Sequence, residues 1–101
     1  MDKRLQLQAV LEGVLGSRNV YFQPPPNVKM NYPCIVYKRD SALTDYASNN
    51  PYRFKQRYLL TVIDRDPDSS IIKKVAALQT ASYIRNYSAD GLNHDLFNLY
   101  F

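Results

Sequence analysis

The sequence predicts an α+β fold, an α/β sandwich in which two helices pack mainly on one face of a small antiparallel or mixed sheet. The expected order is α-β-β-β-α-β. Three observations predict it: an apolar stripe of helical period near the N-terminus, a long stretch of two-residue alternation after residue 51, and a second helical pattern behind an Asp/Pro-rich turn. A chain of 101 residues makes one domain, residues 1–101, and such a chain buries roughly 60–70% of its unfolded surface.

The first helix is expected over residues 2–15, where Leu7, Val10, Leu11, Val14 and Leu15 recur at i, i+3, i+4, i+7 and i+8. Gly16 follows, and a glycine without Cβ suits a left-handed C′ position that ends the helix. "NVYFQ" (19–23) reads as a short strand, closed by "PPPN" because proline donates no backbone hydrogen bond. "PCIVYKR" (33–39) is a second strand, rich in β-branched and aromatic residues. The polar segment Asp40–Pro51, with its Asn-Asn-Pro signal, reads as a loop longer than a usual hairpin connection.

"YRFKQRYLLTVID" (52–64) is the clearest strand. One face carries Phe54, Gln56, Tyr58, Leu60 and Val62; the other carries Arg53, Lys55 and Arg57, then Leu59, Thr61 and Ile63. That switch from basic to apolar predicts a strand whose first half faces solvent or a partner and whose second half is covered on both sides. "DRDPDSS" then starts the second helix with Asp66 or Asp68 as N-cap, and Pro67 suits the first helical position after Asp66. Ile71, Val75, Leu78 and Ser82 continue the helical line to about Tyr83–Asn86. "SADGLN" turns the chain, and "DLFNLYF" forms the last strand, with Phe97, Leu99 and Phe101 expected beneath the helices and Leu96, Asn98 and Tyr100 on the other face.

Composition narrows the function classes. Ordinary apolar (46%) and charged (22%) fractions argue against a disordered chain. Nine residues are Tyr and none is Trp, a bias that suits both protein interfaces and half-exposed strands. A net charge of +4 permits an acidic or nucleic-acid partner without requiring one. The N-terminal "MDKRLQLQ" lacks an apolar signal core and no stretch is long enough to span a bilayer, so the expectation is assembly in a cytoplasm with no membrane contact.

Candidate chemistry is sparse. The single cysteine, Cys34, sits in "YPCIVY" and reads as a small buried hydrophobe in preference to a reactive thiol. Asp64, Asp66 and Asp68 have the spacing that opens a calcium loop, but Ser69 stands where the loop's glycine belongs and Val75 where its glutamate belongs. Helix capping therefore explains these acids better, and no metal is expected. His94 beside Asp95 lacks an activated nucleophile and reads as a structural hydrogen-bonding residue at the entrance to the last strand. No glycine-rich phosphate loop is present in the sequence. The expectation is no catalytic site, no cofactor and no enzyme.

The row Arg53, Lys55 and Arg57 carries the most weight as a contact surface. A strand half blunted by charge against edge pairing, an acidic protein partner or subunit interface, and a nucleic acid are its three readings. The third is weakest, because the flanking aromatics fall on the opposite strand face and one surface cannot both stack bases and hold phosphates.

Four segments together, "YPCIVYKRD", "YASNNPYR", "YLLTVIDRDPDS" and "DGLNHDLFNLYF", resemble in order and spacing the small tail-terminator (tail-completion) proteins of long-tailed bacteriophages. The resemblance covers roughly residues 32–101, with a compatible N-terminal helix. It implies an α/β domain that forms a hexameric ring on the head-proximal end of the tail tube, stops tube polymerisation and presents the head-tail joining surface. The implied partners are further copies of the chain, the tail tube protein and a neck or head-completion protein, with DNA only as cargo passing through the lumen. The implied location is the virion tail, assembled in the host cytoplasm. A neck or head-completion (head-tail connector) protein is the alternative, and a small nucleic-acid-binding module a more distant one. Exposure pattern nominates Tyr46, Asn49, Asn50, Tyr52, Arg53, Lys55, Arg57 and Tyr100 as interface residues.

Overall fold

Leu7 and Leu11, one helical turn apart, are completely buried, and the sheet they seal defines the architecture. A computed structural model describes the backbone of residues 3–47 and 50–101 and the side chains of 4–40 and 56–101. The elements are α1 (Lys3–Leu15), β1 (Val20–Phe22), β2 (Cys34–Ala47), β3 (Asn50–Asp64), α2 (Ser70–Ala76), β4 (Ser82–Ala89) and β5 (Leu92–Tyr100). The five strands form one mixed sheet in the order β1-β2-β3-β5-β4, parallel only between β1 and β2. The α+β class and the two helices are as the sequence predicts, and the expected order is extended by one strand between α2 and the last strand.

The core lies between the helices and one sheet face. Register aligns Ile35 with Val62, Tyr37 with Leu60, Leu60 with Phe97 and Tyr58 with Leu99, and all seven join Leu7, Leu11, Ile71 and Val75 in one buried cluster. Period-two alternation puts these residues on a single face, and the helices cover it. Phe97 and Leu99 are buried as expected, while Phe101 is half-buried against the same cluster. Within the α1 stripe, Val14 and Leu15 pack on the cluster, but Val10 stays 38% exposed. Gly16 ends α1 at φ 81°, its N–H donating to Glu12 O at 2.8 Å, so the glycine serves as the predicted left-handed cap.

A polar thread crosses this core where Tyr37 needs a partner for its hydroxyl. Tyr37 donates to Gln8 Oε1 at 2.6 Å and accepts from Arg4 Nη1 at 3.3 Å, and Gln8 Nε2 donates onward to Glu12 Oε2 and Val20 O, both at 3.0 Å. Arg4 also lies 4.5 Å from the centre of the Phe22 ring. Burial is the main force pushing the Tyr37 hydroxyl above its ordinary value, so it remains a neutral donor.

Three expectations need correction. The second helix starts at Ser70, later than predicted, because Asp64 accepts from the N–H of Asp66 and Asp66 from that of Asp68, which holds the chain in successive side-chain turns. Ser69, in place of either aspartate, is the N-cap and accepts from Ile71 N at 3.3 Å. The helix also ends early, at Ala76: Thr80 takes φ 71°, and residues 82–89 form β4 in place of more helix. Finally, Asp40–Pro51 is a continuation of two strands, paired as far as Ala47 with Asn50, and its tip (48–49) lies outside the described residues.

Candidate interaction surface

The β2–β3 hairpin outgrows the sheet. β5 ends beside β3 where Tyr100 pairs with Arg57, with one further bond from Phe101 N to Gln56 O. Beyond that point, among the described residues, β2 and β3 pair only with each other, down to Ala47 and Asn50. At about 3.4 Å per residue, this two-stranded arm projects on the order of 20 Å past the sheet. It accounts for an elongated molecule of 51 × 24 × 23 Å.

Most of the nominated interface residues fall on this arm. The backbone of Tyr46 lies in β2, and that of Asn50, Tyr52, Arg53 and Lys55 in β3; their side chains, and Asn49 altogether, lie outside the described residues. Arg53, Lys55 and Arg57 occupy alternate positions of β3, and of the three the described Arg57 lies on the sheet face away from the core. Register sets Arg53 opposite Asp45 and Arg57 opposite both Ser41 and Tyr100, so the structure brings Arg57 and Tyr100 together at the root of the arm. Arg57 Nε lies 3.0 Å from Asp40 Oδ2 without hydrogen-bond geometry, so the contact is an ion pair between half-exposed groups. Such pairs contribute only about 0–1 kcal/mol, and this one orients the arginine more than it stabilises the fold.

The sheet face away from the helices continues this surface. Val36, Leu59, Thr61 and Leu96 are half-buried there, between the arm root and the fully buried Cys34. Burial, and then the negative charge of Asp64, push the Cys34 thiol up to about 11, which makes it the inert side chain that the sequence suggests. His94 is also on this face, and it departs from expectation. Its ring stacks on Tyr87 at 4.5 Å and 9°, while Nδ1 is buried with no hydrogen-bond partner. Its placement therefore rests on ring stacking instead of the predicted structural hydrogen bond. Asn98 Oδ1, on the same strand face, is likewise buried and unpartnered.

Sequence reasoning missed β4, the outer strand of the sheet. All eight of its residues are exposed, and Tyr83, Ile84 and Tyr87 are 43–49% accessible. Tyr83 reaches inward enough to pack edge-on to Phe97 at 5.2 Å and to donate to Asp95 Oδ1 at 2.9 Å. The missed signal was Asp90-Gly91. Both residues take positive φ, 55° and 75°, and a two-residue Asp-Gly turn of this kind joins two strands. A pocket of about 320 Å³ lies between α1, the turn after α2 and the end of β5, lined mainly by Leu7, Val10, Leu78, Leu99 and Phe101.

Among the described residues, no group of three or more His, Cys, Asp or Glu is placed to hold a metal ion. Among the described residues, no helix is long and apolar enough to cross a membrane. Neither the protein-family models nor the curated proteins give a match to this chain.

Proposed function

We propose that this protein is a tail terminator of a long-tailed bacteriophage, a structural virion component that acts through its interfaces and not through catalysis. Copies of the chain close into a ring, hexameric in the family it resembles, on the head-proximal end of the tail tube. The ring stops tube polymerisation and offers its opposite surface to a neck or head-completion protein, with DNA passing through the lumen.

One observation carries this reading beyond the resemblance: the self-paired arm that leaves a small two-layer domain at the Arg57–Tyr100 root. Closed rings need heterologous contacts, in which one surface of each subunit meets a different surface of the next. A projecting ribbon with unpaired strand edges gives such a surface reach, and an exposed sheet edge is a ready acceptor for a neighbour. The outward face of the sheet and the Tyr-rich β4 add area of the amphipathic kind found at interfaces.

Electron microscopy of tails assembled with and without the protein tests the proposal. Tubes of uncontrolled length in its absence are the expected result. Tails of normal length that fail to join heads would refute termination and support a neck role instead.

A further inference from the structure

Acidic and basic residues concentrate at opposite ends of β3, with Lys73 and Lys74 on α2 and Arg85 on β4 outside both groups. Lys38, Arg39, Arg53, Lys55 and Arg57 belong to the arm and its root, against Asp40 and Asp45. The opposite end of β3 carries Asp64, followed by Asp66 and Asp68 in the turn to α2, and the Asp90 turn lies beside it because Asp64 pairs with Asn93. Arg65 sits among these acids, yet among the described residues none of the four aspartates is in an ion pair. Lys38 and Arg39 are exposed and likewise have no ion-pair partner among the described residues. Nine residues along β3 separate Lys55 from Asp64, a span of about 30 Å, so the two poles cannot neutralise each other within one chain.

We infer that the basic arm of one copy docks on the acidic pole of a second copy, Asp64, Asp66, Asp68 and Asp90. The inference rests on the ring reading only for its choice of partner, and the contact itself is read from charge placement. A nucleic acid would suit the arm alone and would leave the acidic pole without a use. A second copy satisfies both poles at once. The arm also supplies what charge alone lacks: two strand edges that leave the parent sheet and extend along the direction in which the poles are separated. Such a contact is heterologous, as ring closure requires.

The test uses the purified full chain. Sedimentation velocity is run at about 10 mM salt, where charges are felt over about 30 Å, and at about 1 M, where the range is about 3 Å. Assemblies of at least two copies at low salt that dissociate at high salt are expected; a monomer at both overturns the inference. Two variants then locate the contact. Lys38→Glu/Arg53→Glu/Lys55→Glu makes both poles acidic, and Asp66→Lys/Asp68→Lys makes both poles basic. Each alone is expected to stay monomeric at low salt with unchanged circular dichroism, whereas an equimolar mixture of the two associates. Association of either variant by itself, or failure of the mixture, overturns it. So does loss of duplex-DNA binding in the arm variant when the unmodified chain never self-associates. Tail-length control is not read in any of these arms, so failure here is distinguishable from failure of the terminator reading.

Discussion

Phe97→Ala is the perturbation that the packing predicts most sharply. Phe97 is fully buried at the centre of the sheet, level with Leu60 of β3, and its ring meets the edge of Tyr83 at 5.2 Å. Removing a buried Phe side chain costs roughly 3–5 kcal/mol, because transfer energy is lost and the surrounding shell closes only in part. The Tyr83 pair adds about 0.5–1.5 kcal/mol beyond burial. Against a whole-domain stability of about 5–15 kcal/mol, a loss near 4 removes a large share. At about 4–8 °C per kcal/mol for a domain of this size, the midpoint should fall by about 15–30 °C. Urea and thermal unfolding followed by circular dichroism measure this, with Ile84→Ala on the exposed edge as control, where a change within about 0.5 kcal/mol is expected. A loss below about 1 kcal/mol for Phe97→Ala would refute the placement of β5 under the helices.

Three further outcomes follow from local chemistry. Gly91→Ala should destabilise by about 1–2 kcal/mol, seen as a lower urea midpoint, because φ is 75° while open space around the site leaves backbone strain as the only cost. For Cys34, native protein at pH 8 should react with a thiol reagent about a hundredfold more slowly than unfolded protein, since only the thiolate attacks. The thiol rises from an ordinary 9.0 to about 11 in the fold, so the stability it contributes is intact below about pH 9 and is lost as pH rises through about 11. Cys34→Ala should remove that part of the alkaline dependence, measured as the difference between the two unfolding midpoints across pH 8–11.

What was legible in the sequence had one period and one covered face. Leu7 with Leu11, and Tyr58, Leu60 and Val62 with Phe97 and Leu99, could be assigned to the core because helical or alternating spacing repeats through them without interruption. The stretch after Ile71 misleads for a physical reason: Ile71, Val75 and Leu78 keep helical spacing, yet the helix ends at Ala76 and the chain passes through tighter turns, Leu78 N to Val75 O and Ala81 N to Leu78 O, to the positive φ of Thr80, with no glycine or proline to announce it. β4 then gives no apolar alternation, since it is exposed on all eight residues, and only its Asp90-Gly91 turn betrays it. The arm reads as a loop in the sequence because Asp40–Pro51 is mostly small and polar with no regular apolar alternation, whereas its pairing is a backbone matter, each strand satisfying the other. Of the candidate surface, the Arg53, Lys55 and Arg57 row was visible as strand alternation. Its meeting with Tyr100 was not, because that depends on β5 inserting between β3 and β4.

The account as a whole stands on the arm. Replacing residues 43–55 by Asn-Gly would close the hairpin on the Ala42–Gln56 pair and leave the core cluster untouched. The deciding measurement is the tail-length distribution, by electron microscopy, of particles assembled with this shortened chain in place of the full one, after its melting curve has shown it folded. The account predicts overlong tails without heads. Tails of normal length joined to heads would contradict it.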